Sequence, residues 1–274
     1  MSDGVRLPGG AAIGVWLHAA PSRLRHDGLM DPVSAARAFV AERHPDADAT
    51  ILGGSTAQGR GTPTSDLDIV VLYPDGASNY AETTRHRGWI VEVFVHTPAS
   101  LAAWYERERA ARCAVLGDLC ARGILLTDNG QGEVWQLEAR LYMERGPEPL
   151  SDEERRLRRY ELSSSLDDLR GTTLPAESFV TASEVFRQST ELLLLQHGKW
   201  LGKGKWAVRR LEQLPGNEHA EALRHWAASP DHSPQRLIHV ADTVLEGNGG
   251  YLMEDFLRGS REGPSSVMPD SSHD

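Results

Sequence analysis

The sequence predicts an α+β protein: a small mixed β-sheet with flanking helices, followed by an all-helical bundle. Three observations carry this expectation. Short apolar, β-branched runs occur only in the first half of the chain, at 49–52, 67–73, 89–96 and 124–127. Beyond residue 130 the apolar residues recur only at helical spacing. Between the two regimes stands Gly146-Pro147-Glu148-Pro149, a sequence that suits neither helix nor strand. The chain is therefore expected to divide into domains at 1–147 and 148–258, with 1–30 a loose Gly, Pro and Ala-rich lead-in and 259–274 a disordered tail.

The elements follow in order. Asp31 is placed to cap a helix, Pro32 suits its first turn, and Val33 to Arg43 carry helical spacing until Pro45. Ala49 to Leu52 reads as a short strand ending at Gly53-Gly54, and the Gly, Ser, Thr and Pro-rich stretch to Ser65 as a loop. Leu67 to Tyr73 is an apolar strand, Asp75-Gly76 a turn, and Trp89 to His96 a strand holding one carboxylate, Glu92. One helix is expected from Pro98 to about Ala121, ended by Gly123, then a last strand at Ile124 to Thr127. Helices are expected near 132–145, 152–170, 177–200, 205–213, 217–228 and 234–246.

Composition limits the function classes. The chain has 274 residues, 29 Lys plus Arg against 39 Asp plus Glu, and a formal charge of -10. That balance disfavours long nucleic acids, whose affinity comes from Lys and Arg neutralising phosphates. No apolar run approaches the ~20 residues that a membrane-spanning helix needs, and the amino terminus lacks the pattern of a secretory signal. A cytoplasmic protein with no membrane partner is expected. Cys113 and Cys120, read as two turns apart on one face of the 98–121 helix, are too distant to bridge and are expected as free thiols.

The chemistry concentrates in Leu52 to Tyr73, LGGSTAQGRGTPTSDLDIVVLY. Asp66 and Asp68 are two apart at the mouth of a strand, so their carboxylates share a face, about 6 to 7 Å apart along the chain. Carboxylates this close repel unless a cation sits between them, and hard oxygen ligands suit Mg²⁺, which completes its shell with water and substrate phosphates. Gly54-Ser55 offers backbone N–H groups and a hydroxyl to a phosphate without a side chain in the way. Glu92 is flanked by Val91 and Val93, and a carboxylate in such company is expected to be paired or metal-bound, which assigns it to the same cluster.

Gly54-Ser55, the loop to Gly59, Ser65-Asp66-Leu67-Asp68 and Glu92 together resemble the signature of the polymerase-β-type nucleotidyltransferases. With a helical half after an α/β half, the layout is most similar to the aminoglycoside nucleotidyltransferases. The resemblance implies a catalytic nucleotidyltransferase domain that transfers a nucleoside monophosphate, AMP foremost, from ATP or another NTP to a hydroxyl of a small acceptor, releasing pyrophosphate. It implies one or two Mg²⁺ ions on Asp66 and Asp68, with Glu92 either completing a second metal site or acting as general base, the base role being preferred. An aminoglycoside acceptor, and hence antibiotic resistance, is the expectation that follows.

A second candidate is the basic stretch His197 to Arg210, HGKWLGKGKWAVRR. It gathers Lys199, Lys203, Lys205, Arg209 and Arg210 in an acidic chain, with Gly202 and Gly204 allowing close approach of a ligand. Lys203 and Lys205, then Lys199, are expected to contact the nucleotide's phosphates, although a basic helix end is an equally ordinary use of such residues. Glu184 and Glu191 share a helix face that could meet a cationic acceptor, but a solvated stripe is the stronger expectation. Trp104, Trp135, Trp200 and Trp206 are expected mainly as packing anchors.

Two other readings compete. An antitoxin-like nucleotidyltransferase that modifies or sequesters a protein partner would share the motif, but the fused helical half favours a self-contained enzyme. A template-independent RNA nucleotidyltransferase would need a basic RNA track that the sequence lacks.

Overall fold

The computed structural model describes residues 30–259. The lead-in expected over 1–30 and the tail expected over 259–274 therefore fall, but for their inner end residues, outside the described residues. The first helix, α1 (Pro32–Arg43), starts as its sequence dictates: Pro32 occupies the first turn and Ser34 N–H donates to the Asp31 carboxylate at 3.0 Å.

Five strands follow, β1 (Ala49–Leu52), β2 (Leu67–Leu72), β3 (Tyr80–His86), β4 (Trp89–His96) and β5 (Ile124–Asp128), in the sheet order β3-β4-β2-β1-β5. β2 and β4 run parallel and the other neighbours antiparallel, so the sheet is mixed, as expected. Alternation along the strands gives each face its own core. Leu67, Ile69 and Val71 of β2 join Val91, Val93 and Val95 of β4 beneath α1, where Phe39 and Val40 cover them. Val70 and Leu72 face the other way and pack with Leu101, Leu119, Trp135 and Tyr142. Asp68 and Glu92 share this second face, at the end where the apolar cover stops.

Those covering residues belong to α3 (Pro98–Ala111), α4 (Leu116–Arg122) and α5 (Gly132–Arg145), while α2 (Gly54–Ala57) is a single turn between β1 and β2. The all-helical remainder comprises α6 (Asp152–Gly171), α7 (Pro175–Gln196), α8 (Lys205–Leu211), α9 (Glu218–Ala228) and α10 (Pro234–Glu246). Its core is separate: Leu162 and Leu166 of α6 pack with Val185 and Leu192 of α7, Leu223 of α9, and Leu237 and Val244 of α10.

The structure corrects four expectations. The single helix expected over 98–121 is two, because Arg112 adopts a left-handed conformation (φ 58°) and the chain turns before α4. Helical spacing persists across the break because both helices bury side chains in one core. Cys113 therefore lies in the break, outside any helix, although both cysteines are free as expected. Strand β3 was not anticipated; it is an edge strand whose side chains are largely exposed, so YAETTRH shows no apolar alternation. The helix expected over 177–200 stops at Gln196, where Gly198 takes φ 62° and Lys199 N–H returns to the Leu194 carbonyl at 2.8 Å. Trp200 then leaves the helical bundle altogether, donating from Nε1 to the Met143 carbonyl at 2.9 Å and packing 5.1 Å from the Tyr142 ring. Finally, the loop expected over 53–65 contains α2.

Candidate active site

β2 and β4 place the acidic residues. Parallel pairing sets Leu67 beside Val91 and Asp68 beside Glu92, so the second residue of one strand is level with the fourth of the other. Paired residues on parallel neighbours point to the same face, about 4.8 Å apart. Asp66, just before β2, completes the group, and one carboxylate oxygen from each of Asp66, Asp68 and Glu92 lies within 4.8 Å of the others. All three are half-buried.

The loop between β1 and β2 is pinned onto this group. Gly53 N–H donates to the Asp68 carbonyl at 2.7 Å, Thr56 Oγ1 donates to the Asp66 carbonyl at 2.9 Å, and Arg60 N–H donates to the Ser55 carbonyl at 2.8 Å. The Ser55 hydroxyl is buried, 3.4 Å from that of Ser65. Gly54 is the tightest point: its φ is +70°, and a Cβ there would lie 1.8 Å from Asp68 Oδ2. Only glycine meets both the backbone conformation and the approach to the carboxylate.

Crowding shows in the acidities. Burial, followed by the charges of Asp66 and Glu92, pushes the Asp68 carboxyl up to about 7, with Lys205 partly offsetting them. Glu92 is also raised, by burial first and then by Asp66. These are the signs of carboxylates gathered without enough positive charge. The donor set, three hard oxygens within reach of one another and short of counter-charge, fits a divalent cation of the Mg²⁺ type.

The basic stretch reaches the same place. Lys203, Gly202 and Trp206 line a cavity of about 240 Å³ together with Gly54, Asp68 and Leu119. Lys205, first residue of α8, is the cation whose field pulls the Asp68 carboxyl back down, against burial and the neighbouring acids. Lys199 is half-buried at the turn after α7 and is not among the residues lining the cavity.

What docks α8 here was not legible beforehand. Arg210, in the same basic stretch, is buried and donates to Asp118 Oδ1 at 3.1 Å and to the Ala114 carbonyl at 2.8 Å. Leu201 N–H donates to the Arg112 carbonyl at 2.8 Å, and Arg60 pairs with Glu212 at 2.9 Å. The acceptors Arg112 and Ala114 lie in the α3–α4 break, so the unexpected kink is the surface on which the lysine-bearing segment sits. Buried Glu108 of α3 holds that kink by accepting three backbone N–H groups, from Val115 (2.8 Å), Leu116 (2.6 Å) and Gly117 (3.1 Å). Burial raises its carboxyl, and the three donors pull the other way.

Glu184 and Glu191 are not free to meet an acceptor: Arg187 bridges them at 2.5 and 2.6 Å, and Arg158 holds Glu191 at 2.9 Å. Trp135 and Trp200 are core residues as expected, whereas Trp206 lines the cavity and Trp104 is exposed.

Residues 33–115 match the family described as the nucleotidyltransferase domain, of the polymerase-β-like superfamily, a match that supports a nucleotidyltransferase enzyme using an NTP and a divalent metal. Among solved structures, a nucleotidyltransferase-like protein from Exiguobacterium sibiricum 255-15 is similar over 79% of this chain and 73% of its own, at 14% identity and a TM-score of 0.38. No curated protein matches the chain. Among the described residues, no helix is long and apolar enough to cross a membrane.

Proposed function

We propose that this chain is a cytoplasmic, Mg²⁺-dependent nucleotidyltransferase that passes a nucleoside monophosphate, AMP foremost, from NTP to a hydroxyl of a small polycationic acceptor of the aminoglycoside type. The observation that carries the reading is the register of Asp68 against Glu92, with Asp66 close enough to bring all three carboxylates to one point.

Asp66 and Asp68 hold the metal, and Mg²⁺ bound there supplies charge neutralisation to the phosphate oxygens. Glu92 takes the proton of the acceptor hydroxyl as its oxygen bonds to the α-phosphorus and the bond to the pyrophosphate oxygen breaks. Gly54 and Ser55 cradle the phosphates, and Lys203 and Lys205 neutralise them from α8 and the turn before it, with Lys199 behind. Residues 1–147 then form the catalytic domain and 148–258 a helical domain whose α8 edge closes over the nucleotide. The docking of that edge through Arg210 and Asp118 supports a self-contained enzyme over one awaiting a separate helical partner. The net charge of -10 favours encounter with a polycation and not with a long nucleic acid.

Incubation with each NTP and Mg²⁺ against a panel of aminoglycosides tests the reading. Pyrophosphate release matched by a nucleoside-monophosphate mass gain on one acceptor is expected; release without mass gain on any acceptor overturns it.

A further inference from the structure

Helix α5 carries apolar residues on two faces. Its inner face, Trp135, Ala139 and Tyr142, packs in the core on the second side of the sheet. Its outer face carries Val134, Leu137 and Leu141, which are 47%, 51% and 56% exposed. Spacings of three and four put these on one stripe about two turns long. Three large aliphatic side chains in line on water form the kind of patch that marks an interaction surface.

Charges border the stripe in a pattern of their own. Glu133 and Arg140, seven apart, lie along one edge, and Glu138 and Arg145, also seven apart, along the other. All four are exposed. Of the four, only Arg145 has an ion-pair partner among the described residues, Glu106 of α3 at 3.7 Å. Seven residues span about 10 Å of helix, so Glu133 and Arg140 stand apart within one chain.

We propose that this face binds a second copy of the chain, α5 against α5, antiparallel across a two-fold axis at Leu137. In such a pair each edge meets the same edge of the other copy. Leu137 packs on Leu137 of the second copy, and Val134 falls within one residue of level with Leu141 there. Glu133 falls equally close to level with Arg140 of the second copy, and symmetry makes that contact twice. Apolar residues at the seam and opposite charges at its flank are how paired helices fix direction and register. A parallel pair would cross the edges, setting Glu133 against Glu138 and Arg140 against Arg145, like against like. In the antiparallel pair the one repulsion is between the two Glu138 side chains. The stripe is short, so the dimer is reversible, with a Kd on the order of 10 μM. Nothing in it depends on the carboxylate group or on the transfer reaction.

Sedimentation velocity of the full chain over roughly a hundredfold range around that concentration tests the pairing. The wild-type mass should climb from one chain towards two. Leu137→Asp should stay at one chain and keep the thermal midpoint of dilute wild type. Glu133→Arg and Arg140→Glu should each weaken association about tenfold, because two attractive contacts become repulsive, and the double variant should restore it. Glu138→Gln should tighten it. Wild type that remains one chain throughout, association untouched by Leu137→Asp, or a double variant no better than the single ones overturns the proposal. A sharp drop in the midpoint of dilute Leu137→Asp assigns the stripe to another segment of the same chain and overturns it as well.

Discussion

Asp68 on β2 and Glu92 on β4 sit side by side in a parallel pair, and Gly54 presses its backbone against the Asp68 carboxylate from the neighbouring loop. Two half-buried acids share one face with a third, while the lysines approach from α8 and the turn before it. This arrangement is unfavourable by itself and becomes favourable when a cation arrives, which makes its consequences measurable.

Removing one charge should separate folding from catalysis. Asp68→Asn is expected to abolish metal-dependent transfer, yet in chelator its thermal midpoint should equal or exceed that of the wild type, because one buried repulsive charge is gone. A large drop in the midpoint would mean that Asp68 is structural.

The acidity of Asp68 gives the metal-free protein a distinctive pH dependence. Its carboxyl, 3.8 by default, is held at about 7 in the fold. The folded chain therefore binds that proton more tightly than the unfolded chain, and the stability so gained is fully present below about pH 4 and lost as pH rises through 7. Glu92, also raised, acts in the same direction. Denaturant titrations in chelator should show stability falling from pH 5 to pH 8 by a few kcal/mol, an order set by ~1.4 kcal/mol per pKa unit. Saturating Mg²⁺ should flatten the slope, and Asp68→Asn should remove most of it.

Gly54→Ala adds a methyl where φ is +70° and Asp68 Oδ2 would be 1.8 Å away. Displacing the carboxylate by even an ångström should reduce turnover by about 10²-fold. Steady-state kinetics at saturating NTP check this, and wild-type turnover would contradict the tight approach.

Arg210→Met strands Asp118, which is buried and, among the described residues, keeps only Arg122 as a charged partner. A loss of about 3 kcal/mol in unfolding free energy is expected, together with a raised KM for NTP as α8 loosens. Separately, Glu108→Gln turns an amide NH₂ towards backbone donors at the start of α4 and should cost about 1–3 kcal/mol. Chemical denaturation reads both, and an unchanged midpoint in either variant would remove that contact from the account.

Much of this architecture was legible in the sequence, for physical reasons that differ by element. Trp89 to His96 was readable to the residue because a central strand buries alternate side chains and Glu92 stands out among valines. α1 was readable because Asp31 and Pro32 mark its start chemically. β3 was hidden because an edge strand with both faces wet needs no apolar pattern, and its turn at Arg87-Gly88 places a non-glycine at φ 47° where no standard turn pair announces it. The α3–α4 break was hidden because the residue that makes it possible, Glu108, acts on backbone groups seven to nine positions further on, a contact that no spacing rule flags.

The carboxylate group was visible as spacing plus a third acid, since strand pairing converts those into proximity. The arginines were visible only as charge. Nothing in GKWAVRR distinguishes Arg210, buried on Asp118 and the Ala114 carbonyl, from Arg209 beside it, because that difference comes from packing against a segment ninety residues earlier.

The most direct test is side-by-side turnover of wild type, Asp68→Asn and Glu92→Gln with NTP, Mg²⁺ and a responsive acceptor, read by pyrophosphate release and acceptor mass. Stoichiometric release and mass gain in wild type, with both signals lost in the two folded variants, are predicted. Wild-type turnover in either variant would contradict the assignment of these carboxylates as the catalytic centre.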